Sequence, residues 1–485
     1  MKAIGGTPQR VRLTIALQTY NRAGDGYLKL MLDSILNQTY SEFELFIMDN
    51  HSTDETMDVV TAYEDPRITY IRQPAGGSAT TNTNRAVWMA RGDYVLATHD
   101  DDVMEPHMVQ EMITYLDEYP ETICVASNVS LMGEKGETLQ ERLYAEYSNR
   151  RFEKGEYIKT YLREKFWFPT PTLMYRRDAY VATQPNNVRM NNPAYFPSGD
   201  IWSIFMFNLR GPVAFLANPL LRYRQHAGQE SRNVHQSEPM LQLMSMLKQK
   251  KGSHPLIEPL LPEITGTWSK YKLQDLLFKQ GNSKNKSSIK KQVFRLYDRC
   301  MKDLQGEEAG VSELLPLTIM AQLLAKDRIA SSPAVSLAMD SKSAQAYTRW
   351  NGQLAIGSSL LESHHELHRI AVFGSMLTAY LLIQDAENAG IQVVGIFDSS
   401  LARIGNTIFD HPIQAINELA NLSADCDAII ITSERDHEEA IVQILASHLR
   451  NKNIPITTWK NLALLHDRSL TIPKNAQTPN KEVAI

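Results

Sequence analysis

The feature that most constrains this chain is a repeated alternation of short apolar runs and amphipathic segments between residues 11 and 119. The apolar runs are rich in β-branched and aromatic residues and predict strands at 11–19, 44–49, 68–73 and 94–100. The segments between and after them repeat apolar residues at helical spacing and predict helices at 28–36, 54–64, 79–90 and 107–119. Strands alternating with helices of this length favour right-handed βαβ units and a mostly parallel sheet.

A second alternating pattern runs from about residue 367 to 459, with strands predicted in RIAVFG, QVVGIFD and DAIIITS and a helix that ends at Gly390. The stretch 236–345 predicts helices only. The sequence therefore predicts an α/β fold class with a mostly parallel sheet domain, a helical middle region and a small Rossmann-like C-terminal domain. The predicted boundaries are 1–232, 233–345, 346–470 and a disordered tail at 471–485.

The composition excludes several classes of protein. A content of 43% hydrophobic and 22% charged residues is typical of a soluble globular protein, and the net charge of −5 predicts no nucleic-acid partner. Cys124, Cys300 and Cys426 are far apart and are predicted to be buried thiols. The chain begins without a signal-peptide pattern, and no apolar run approaches the ~18 residues of a membrane span. We therefore expect a cytoplasmic protein, with peripheral contact at the inner face of the membrane left open.

Acidic residues follow two of the predicted strands. Ligands of parallel sheets bind beyond the carboxyl ends of the strands, where Asp49 and the run Asp100, Asp101 and Asp102 are placed. Three consecutive aspartates repel one another unless a cation or hydrogen bonds compensate, and Mg²⁺ or Mn²⁺ prefers such carboxylate ligands. The alternative is a solvated acidic loop for the run, and a helix cap for Asp49 or for Asp54.

The turn after the first strand predicts a nucleotide pocket. It carries side chains that can hydrogen-bond or pair with a nucleotide, namely Thr19, Tyr20, Asn21 and Arg22. Asp49, after the second strand, could accept a hydrogen bond from a base N–H. The aspartate run would then lie near the diphosphate of the same ligand.

Five ordered motifs resemble inverting family-two glycosyltransferases of the GT-A fold: LQTYNR, SILNQTYSEFELFIMDNHSTDET, ARGDYVLATHDDDV, PSGD and LRYRQHAGQES. The stretch FELFIMDNHSTDET is especially similar to the spore-coat polysaccharide glycosyltransferases. The resemblance covers about residues 11–232. It implies that Asp49 contacts the nucleobase, Asp100 the ribose, and Asp101 or Asp102 a Mn²⁺ or Mg²⁺ ion. His99 stands where many members carry another acid.

The resemblance also implies that Asp200 in PSGDIW is the catalytic base, because a carboxylate beside an acceptor hydroxyl can take its proton. Aromatic neighbours are candidates for raising its pKa and for stacking on an acceptor sugar, namely Tyr195, Phe196 and Trp202. The alternative for Asp200 is a helix N-cap, and both roles can hold at once.

His226 in YRQHAG matches a histidine that supplies a metal or phosphate contact in many relatives, although a histidine before a glycine is otherwise a loop residue. Arg222 and Arg224 are two residues apart on a predicted strand. They either neutralise phosphate or form the solvated face of that strand.

Together these residues predict an inverting, metal-dependent glycosyltransferase. The expected donor is a nucleotide-sugar, with a UDP-sugar favoured, and the acceptor is a hydroxyl of a glycan, a lipid-linked molecule or a protein in surface glycan synthesis. One alternative is a non-catalytic glycan-binding scaffold. The other is a sugar-nucleotide oxidoreductase driven by the C-terminal domain.

The oxidoreductase alternative depends on a dinucleotide fingerprint that is incomplete in this chain. Gly374 is present, but Met376 and Ala379 occupy the second and third glycine positions, and Asp398 is the candidate ribose ligand. A methionine side chain would block close approach of a pyrophosphate. A structural or protein-interaction role is therefore favoured for this domain.

The helical middle is basic. Residues 248–302 contain 13 Lys or Arg against 4 Asp or Glu, which gives a local charge of +9 in a chain of −5. The stretch is either a solvated helical face or a surface for an anionic partner, such as a membrane, a lipid-diphosphate acceptor or an acidic polymer. A homo-oligomer is also left open.

Overall fold

The computed structural model describes residues 11–74, 79–164, 166–183, 199–226, 237–249, 254–280, 286–303, 315–325, 342–374, 376–399, 403–433, 438–449 and 452–464. Tyr195 and Phe196 of the predicted acceptor site and the predicted tail at 471–485 lie outside these residues. The chain forms two compact units, Met1–Gln229 and Glu230–Ile485. Each unit contains its own sheet, as the two alternating sequence patterns predict.

A ten-stranded sheet forms the centre of the first unit. Its strands are β1 (Leu13–Thr19), β2 (Phe43–Asp49), β3 (Ile68–Arg72), β4 (Tyr94–His99), β5 (Val103–Met104), β6 (Cys124–Met132), β7 (Thr138–Gln140), β8 (Arg150–Phe152), β9 (Met174–Arg176) and β10 (Val213–Arg224). Their order is β3-β2-β1-β4-β9-β6-β10-β5, with β7 on β6 and β8 on β10. Strands β1 to β4 are mutually parallel, and β6 is parallel to β10.

The helices of the first unit are α1 (Tyr27–Leu36), α2 (Thr56–Thr61), α3 (Ala79–Met89), α4 (Met108–Glu118), α5 (Glu156–Glu164), α6 (Arg177–Thr183) and α7 (Gly199–Asn208). Helix α1 shows why the pattern folds this way. Its buried residues Leu28, Met31, Leu32 and Ile35 recur at helical spacing and join the core formed by β1 and β2. The predicted amphipathic helix is confirmed.

The strand order brings three chain segments to one edge of the sheet. In the parallel register, Thr19 of β1 lies beside Asp49 of β2, and Gln18 lies beside His99 of β4. The carboxyl ends of β1, β2 and β4 therefore meet, and the loops that follow them are neighbours. The predicted α/β class with a mostly parallel sheet is confirmed.

The second unit begins with helices. They are α8 (Ser237–Gln249), α9 (Leu261–Gln280), α10 (Lys286–Asp303), α11 (Leu315–Ala325) and α12 (Lys342–Ala355). Among the described residues of this stretch there is no strand, as predicted. No described helix in either unit is long and apolar enough to cross a membrane.

A smaller sheet follows in the same unit. Its elements are β11 (Arg369–Phe373), α13 (Leu377–Ala389), β12 (Gln392–Asp398), β13 (Thr407–Ile408), β14 (His411–Ala415), β15 (Ala428–Ile431), α14 (Glu438–His448), β16 (Ile456–Thr458) and α15 (Trp459–Leu464). The strand order is β13-β14-β12-β11-β15-β16, parallel except for the β13–β14 pair. With β13 left aside, the parallel strands follow the doubly wound order 3-2-1-4-5. Helix α13 ends at Gly390 in the left-handed conformation with φ 72°, as predicted.

Candidate active site at the carboxyl edge of the first sheet

The loops after β1 and β2 are hydrogen-bonded to each other. The Asn21 backbone N–H donates to Ser52 Oγ at 2.9 Å, and the Thr53 N–H donates to Asn21 Oδ1 at 2.8 Å. Asn21 and His51 adopt positive φ values of 50° and 66°, a conformation that costs most residues energy. These bonds hold the predicted nucleotide loop in one shape.

Asp54 joins the same two loops. Its carboxylate accepts from the Ala23 N–H at 3.0 Å and from the Thr56 N–H at 3.1 Å. The prediction that Asp54 is the N-cap of α2 is wrong by one position, because the helix begins after Glu55. The carboxylate nevertheless accepts a hydrogen bond from the Thr56 backbone N–H in the first turn, as an N-cap side chain does.

Asp49 is fully buried, with 0% of its surface exposed. One of its carboxylate oxygens, Oδ1, accepts from Ser52 N at 2.9 Å and from Ser52 Oγ at 2.5 Å, and Oδ2 accepts from the Tyr70 hydroxyl. In this arrangement the carboxylate organises the turn after β2. Its predicted contact with a nucleobase stays a prediction.

Arg22 links the two loops to the aspartate run. Its Nε donates to Asp100 Oδ1 at 3.1 Å, and Nη2 lies 3.5 Å from Asp101 Oδ2. The Tyr20 N–H approaches Asp100 Oδ2 at 3.3 Å. Burial raises the pKa of Asp100 to about 6, although the positive charge of Arg22 acts in the opposite direction. The structure thus brings Tyr20, Arg22 and Asp100 of the predicted nucleotide pocket together.

His99, Asp101 and Asp102 form a group whose ligand atoms all lie within 4.8 Å of one another. Asp102 is fully buried, and its Oδ1 accepts from the Arg224 backbone N–H at 2.9 Å. Its Oδ2 has no hydrogen-bond partner in the described part of the chain. Burial raises the pKa of Asp102 well above its usual range, and the neighbouring Asp101 raises it further. A divalent cation fits this donor set, because it would compensate the buried oxygen that the protein leaves unpaired.

His226 lies next to this group. It is 5% exposed, and its Nε2 is 2.9 Å from Asp101 Oδ2. Its ring also packs on Tyr27, with the ring centroids 5.4 Å apart. His226 is thus a buried loop residue in contact with Asp101, and its predicted metal or phosphate contact stays a prediction. The residue that completes the compact metal-ligand group is His99, which the sequence marks only as a departure from the family pattern.

Arg224 is 2% exposed and lies behind the aspartate run. Its Nε donates to the Asp101 carbonyl at 2.7 Å, and its Nη1 donates to the carbonyls of Glu134 at 2.9 Å and Gly133 at 3.3 Å. Its guanidinium carbon lies 4.2 Å from the centroid of the Tyr27 ring. The interpretation of Arg224 as part of a solvated strand face is wrong, because the residue is buried. Its predicted neutralisation of a phosphate stays a prediction.

Asp200 lies in the first turn of α7 and accepts from the Ile201 N–H at 2.8 Å. Asp200 keeps part of its surface accessible, and partial desolvation by the protein around it raises its pKa. The Ile201 hydrogen bond, the charge of His99 and a hydrogen bond to Thr170 act against the increase.

Trp202 is only 6% exposed. Little of its surface is accessible in this conformation, and its predicted acceptor-site role stays a prediction. Thr19, at 3% exposed, likewise lies in the interior at the end of β1. Its predicted role in nucleotide binding stays a prediction.

Gly374 and Asp398, the two residues of the dinucleotide fingerprint that are present, lie at the carboxyl ends of β11 and β12 in the second sheet. Gly374 has φ +103°, and a Cβ added there would lie 2.6 Å from Thr432 Oγ1. Asp398, the candidate ribose ligand, is 4% exposed and accepts from Arg403 Nη1 at 3.1 Å. The glycine and the acid of the incomplete fingerprint therefore both have structural roles that need no dinucleotide.

Comparison with known proteins identifies the first unit. Residues 14–182 match the family described as Glycosyl transferase family 2. Protein CgeD of Bacillus subtilis is 34% identical over 138 residues, which are 26% of this chain and 32% of that protein. The putative colanic acid biosynthesis glycosyl transferase WcaA of Escherichia coli is 32% identical over 105 residues, covering 21% of this chain and 37% of that protein.

Among solved structures, S. aureus TarS 1–349 in complex with UDP-GlcNAc is similar over 72% of this chain and 92% of that chain, with 16% identity and a TM-score of 0.43. The matched segments span about a third of the length of the two curated relatives. The family match, at residues 14–182, includes the aspartate run. Residues 14–182 are therefore a domain of glycosyl transferase family 2.

Proposed function

We propose that the first unit transfers a sugar from a nucleotide-sugar donor to an acceptor hydroxyl, with inversion at the anomeric carbon and with help from Mn²⁺ or Mg²⁺. The observation that carries this proposal is the group His99, Asp101 and Asp102, whose ligand atoms lie within 4.8 Å of one another and in which Asp102 Oδ2 is buried without a partner among the described residues. A scaffold that only bound glycans would have no need for a buried, uncompensated acidic group.

The metal would be held by Asp101 and Asp102, with His99 as a third ligand and His226 adjusting Asp101 through its hydrogen bond. A nitrogen donor in the set favours Mn²⁺, because Mg²⁺ takes mainly oxygen ligands. When bound, the cation neutralises charge on the leaving diphosphate. The acids of the site keep their geometry through Arg22 and Arg224.

Asp200 is proposed as the base that takes the acceptor proton. Its raised pKa suits this role, since a base is most effective when its pKa approaches the working pH. Attack by the acceptor oxygen opposite the leaving group then inverts the anomeric centre. Tyr20, Arg22 and Asp100 are proposed to bind the ribose and diphosphate of the nucleotide-sugar. A UDP-sugar is the favoured donor.

The acceptor is proposed to belong to a surface glycan or glycoconjugate. The similarity of part of the chain to the putative colanic acid biosynthesis glycosyl transferase supports a polysaccharide pathway. The catalytic domain is proposed to end near residue 232, close to the boundary between the compact units.

Nucleotide release from a panel of nucleotide-sugars, with and without Mn²⁺, tests the proposal. Asp200→Asn should lower kcat by about 10²- to 10⁴-fold, because the proton acceptor is lost. Donor KM should stay within about two-fold of wild type, because donor contacts remain. Asp178→Asn is the matched control: its side chain is 92% exposed on the neighbouring helix α6, so full activity is expected. A wild-type kcat in Asp200→Asn, or no release from any donor, contradicts the proposal.

A further inference from the structure

Three helices of the second unit surround a pocket that the proposed transfer reaction does not use. Helices α8, α9 and α10 border an open groove of about 490 Å³, which falls within the usual range of small-molecule sites, roughly 300–1,000 Å³. The polar groups of the wall come from all three helices: Gln242, Ser245, Lys272, Asp275 and Arg299. The pocket is therefore wide enough for a sugar residue and lined with groups that form hydrogen bonds.

Trp268 fixes one side of the wall. The Arg299 guanidinium carbon and the Lys248 Nζ each lie 5.0 Å from the centroid of its ring, and its Nε1 donates to Ser245 Oγ at 3.2 Å. The indole is 8% exposed, so it supports the wall and presents little surface of its own. Cation–π contact thus holds Arg299 at the pocket in a restricted position.

The charges of the wall do not balance. Lys272 Nζ lies 3.3 Å from Asp275 Oδ2, so this lysine already has a carboxylate partner. Arg299 has no ion pair or hydrogen bond with any other described residue, and its contact with Trp268 leaves its N–H groups available. The surrounding stretch 248–302, with 13 basic against 4 acidic residues, adds a positive field around it.

We infer that this pocket binds a phosphate- or carboxylate-bearing sugar of an anionic glycan. The Arg299 guanidinium pairs with the anion through its fork of N–H donors. Gln242, Ser245 and Asp275 exchange hydrogen bonds with the sugar hydroxyls, which both donate and accept. A concave wall with neutral hydrogen-bonding groups suits a polyhydroxylated anion better than the flat surface of a bilayer. The inference depends on the proposed function only where this glycan is taken to be the acceptor of transfer.

Calorimetric titration of the full chain tests the inference with oligogalacturonate, phosphorylated dextran and neutral dextran of equal length. Wild type is expected to bind at least one anionic oligosaccharide and to bind neutral dextran about ten-fold more weakly. Arg299→Gln should raise the Kd of the anionic ligand by about ten-fold, as loss of a charge-assisted hydrogen bond does. The difference between the two anionic ligands shows whether carboxylate or phosphate is preferred.

Arg295→Gln is the matched control. Arg295 is exposed on the same helix and carries the same charge, but it does not line the pocket, so Kd should stay within about two-fold of wild type. Gln242→Glu leaves the Arg299–Trp268 contact intact and places a negative charge on the wall, so it should also weaken binding. This variant covers the case in which Arg299→Gln fails to fold.

Three results would overturn the inference. They are no binding of either anionic oligosaccharide, equal weakening by Arg295→Gln and Arg299→Gln, and Arg299-dependent binding of phosphatidylserine vesicles without oligosaccharide binding. Nucleotide release in the absence of acceptor is expected to be unchanged in Arg299→Gln. Failure of the proposed transferase function is therefore seen separately from failure of the pocket.

Discussion

Arg224→Lys is the substitution that best tests how the aspartate run is held in place. The wild-type side chain donates to the carbonyls of Asp101, Glu134 and Gly133, at 2.7, 2.9 and 3.3 Å. A lysine keeps the positive charge but has a single nitrogen, which can replace only part of this set. The backbone bond from residue 224 to Asp102 Oδ1, at 2.9 Å in the wild type, does not depend on the side chain.

The size of the effect follows from these contacts. Two of the three carbonyls lose a charge-assisted partner in a site where the arginine is 2% exposed. The Gly133 carbonyl still accepts from the Gly136 N–H at 3.0 Å, and the Glu134 carbonyl still accepts from the Tyr27 hydroxyl at 3.3 Å. Because no carbonyl of this pair is left without a donor, we expect a loss of ~1–3 kcal/mol in the free energy of unfolding. A residue that orients metal ligands typically changes metal affinity by about 10- to 100-fold, and we expect the Kd for Mn²⁺ to rise by such a factor.

Mn²⁺ titration by calorimetry or by electron paramagnetic resonance measures the affinity directly. High Mn²⁺ should restore kcat in Arg224→Lys, because the ligands themselves remain, whereas a general structural defect would not respond to the metal. Arg222→Lys is the matched control on the same strand, since the Arg222 side chain donates from Nη2 to the Gly136 carbonyl, at 2.6 Å, and not to the aspartate run. An unchanged Mn²⁺ affinity in a folded Arg224→Lys protein, or an equal loss in Arg222→Lys, would refute the reasoning.

Three further predictions concern the buried carboxylates Asp102 and Asp385 and the removal of the metal. Asp102→Asn should abolish detectable Mn²⁺ binding. It should also raise the unfolding temperature of the metal-free protein by about 2–4 °C, because a buried acidic group with an unpaired oxygen is removed. Scanning fluorimetry with and without Mn²⁺ measures both effects. Excess chelator should stop nucleotide release, which added Mn²⁺ should restore. Burial raises the pKa of Asp385 to about 7, so the folded state retains a proton that the unfolded state releases, and stability should fall as pH rises from about 4 to 7. Asp385→Asn should remove this dependence and gain up to ~4 kcal/mol at pH 8, measured by urea unfolding; a variant as pH-dependent as wild type would contradict this.

The parallel half of the first sheet was predictable because its strands carry nearly continuous apolar runs and its helices carry an apolar face. Strand β2, for example, is buried at every position. Strand β6 does not stand out in the sequence, and β10 was predicted only around Arg222 and Arg224. Polar Ser127 and Asn128 interrupt β6 and are fully buried, and Pro219 coincides with register shifts in β10. Polar interiors and a proline at a bulge weaken the sequence pattern of a strand.

The candidate site likewise contains residues that could be predicted from the sequence and residues that could not. The aspartate run was predictable, because three consecutive acids after an apolar strand repel one another unless a cation or hydrogen bonds compensate their charge. The part played by Arg224 was not, because Arg224 contacts Asp101 across 123 positions of the sequence. The part played by His99 was not predicted either, because the family pattern expects an acid at that position. The one available signal was the adjacency of His99 to the run. Spacing on a strand gives the face of a side chain, but only the packed structure decides whether that face is solvated.

The electrostatics of the run connect its fold to its proposed chemistry. Arg22 contacts Asp100 and Asp101 and offsets part of their charge, while Arg224 secures the backbone of the run. Neither guanidinium donates to Asp102 Oδ2, which stays buried without a partner among the described residues. Such an oxygen opposes folding unless a proton or a cation meets it. The two arginines therefore hold the aspartate run in place but leave the carboxylate oxygen Asp102 Oδ2 without a partner. This arrangement favours binding of a divalent cation over a closed network of internal salt bridges.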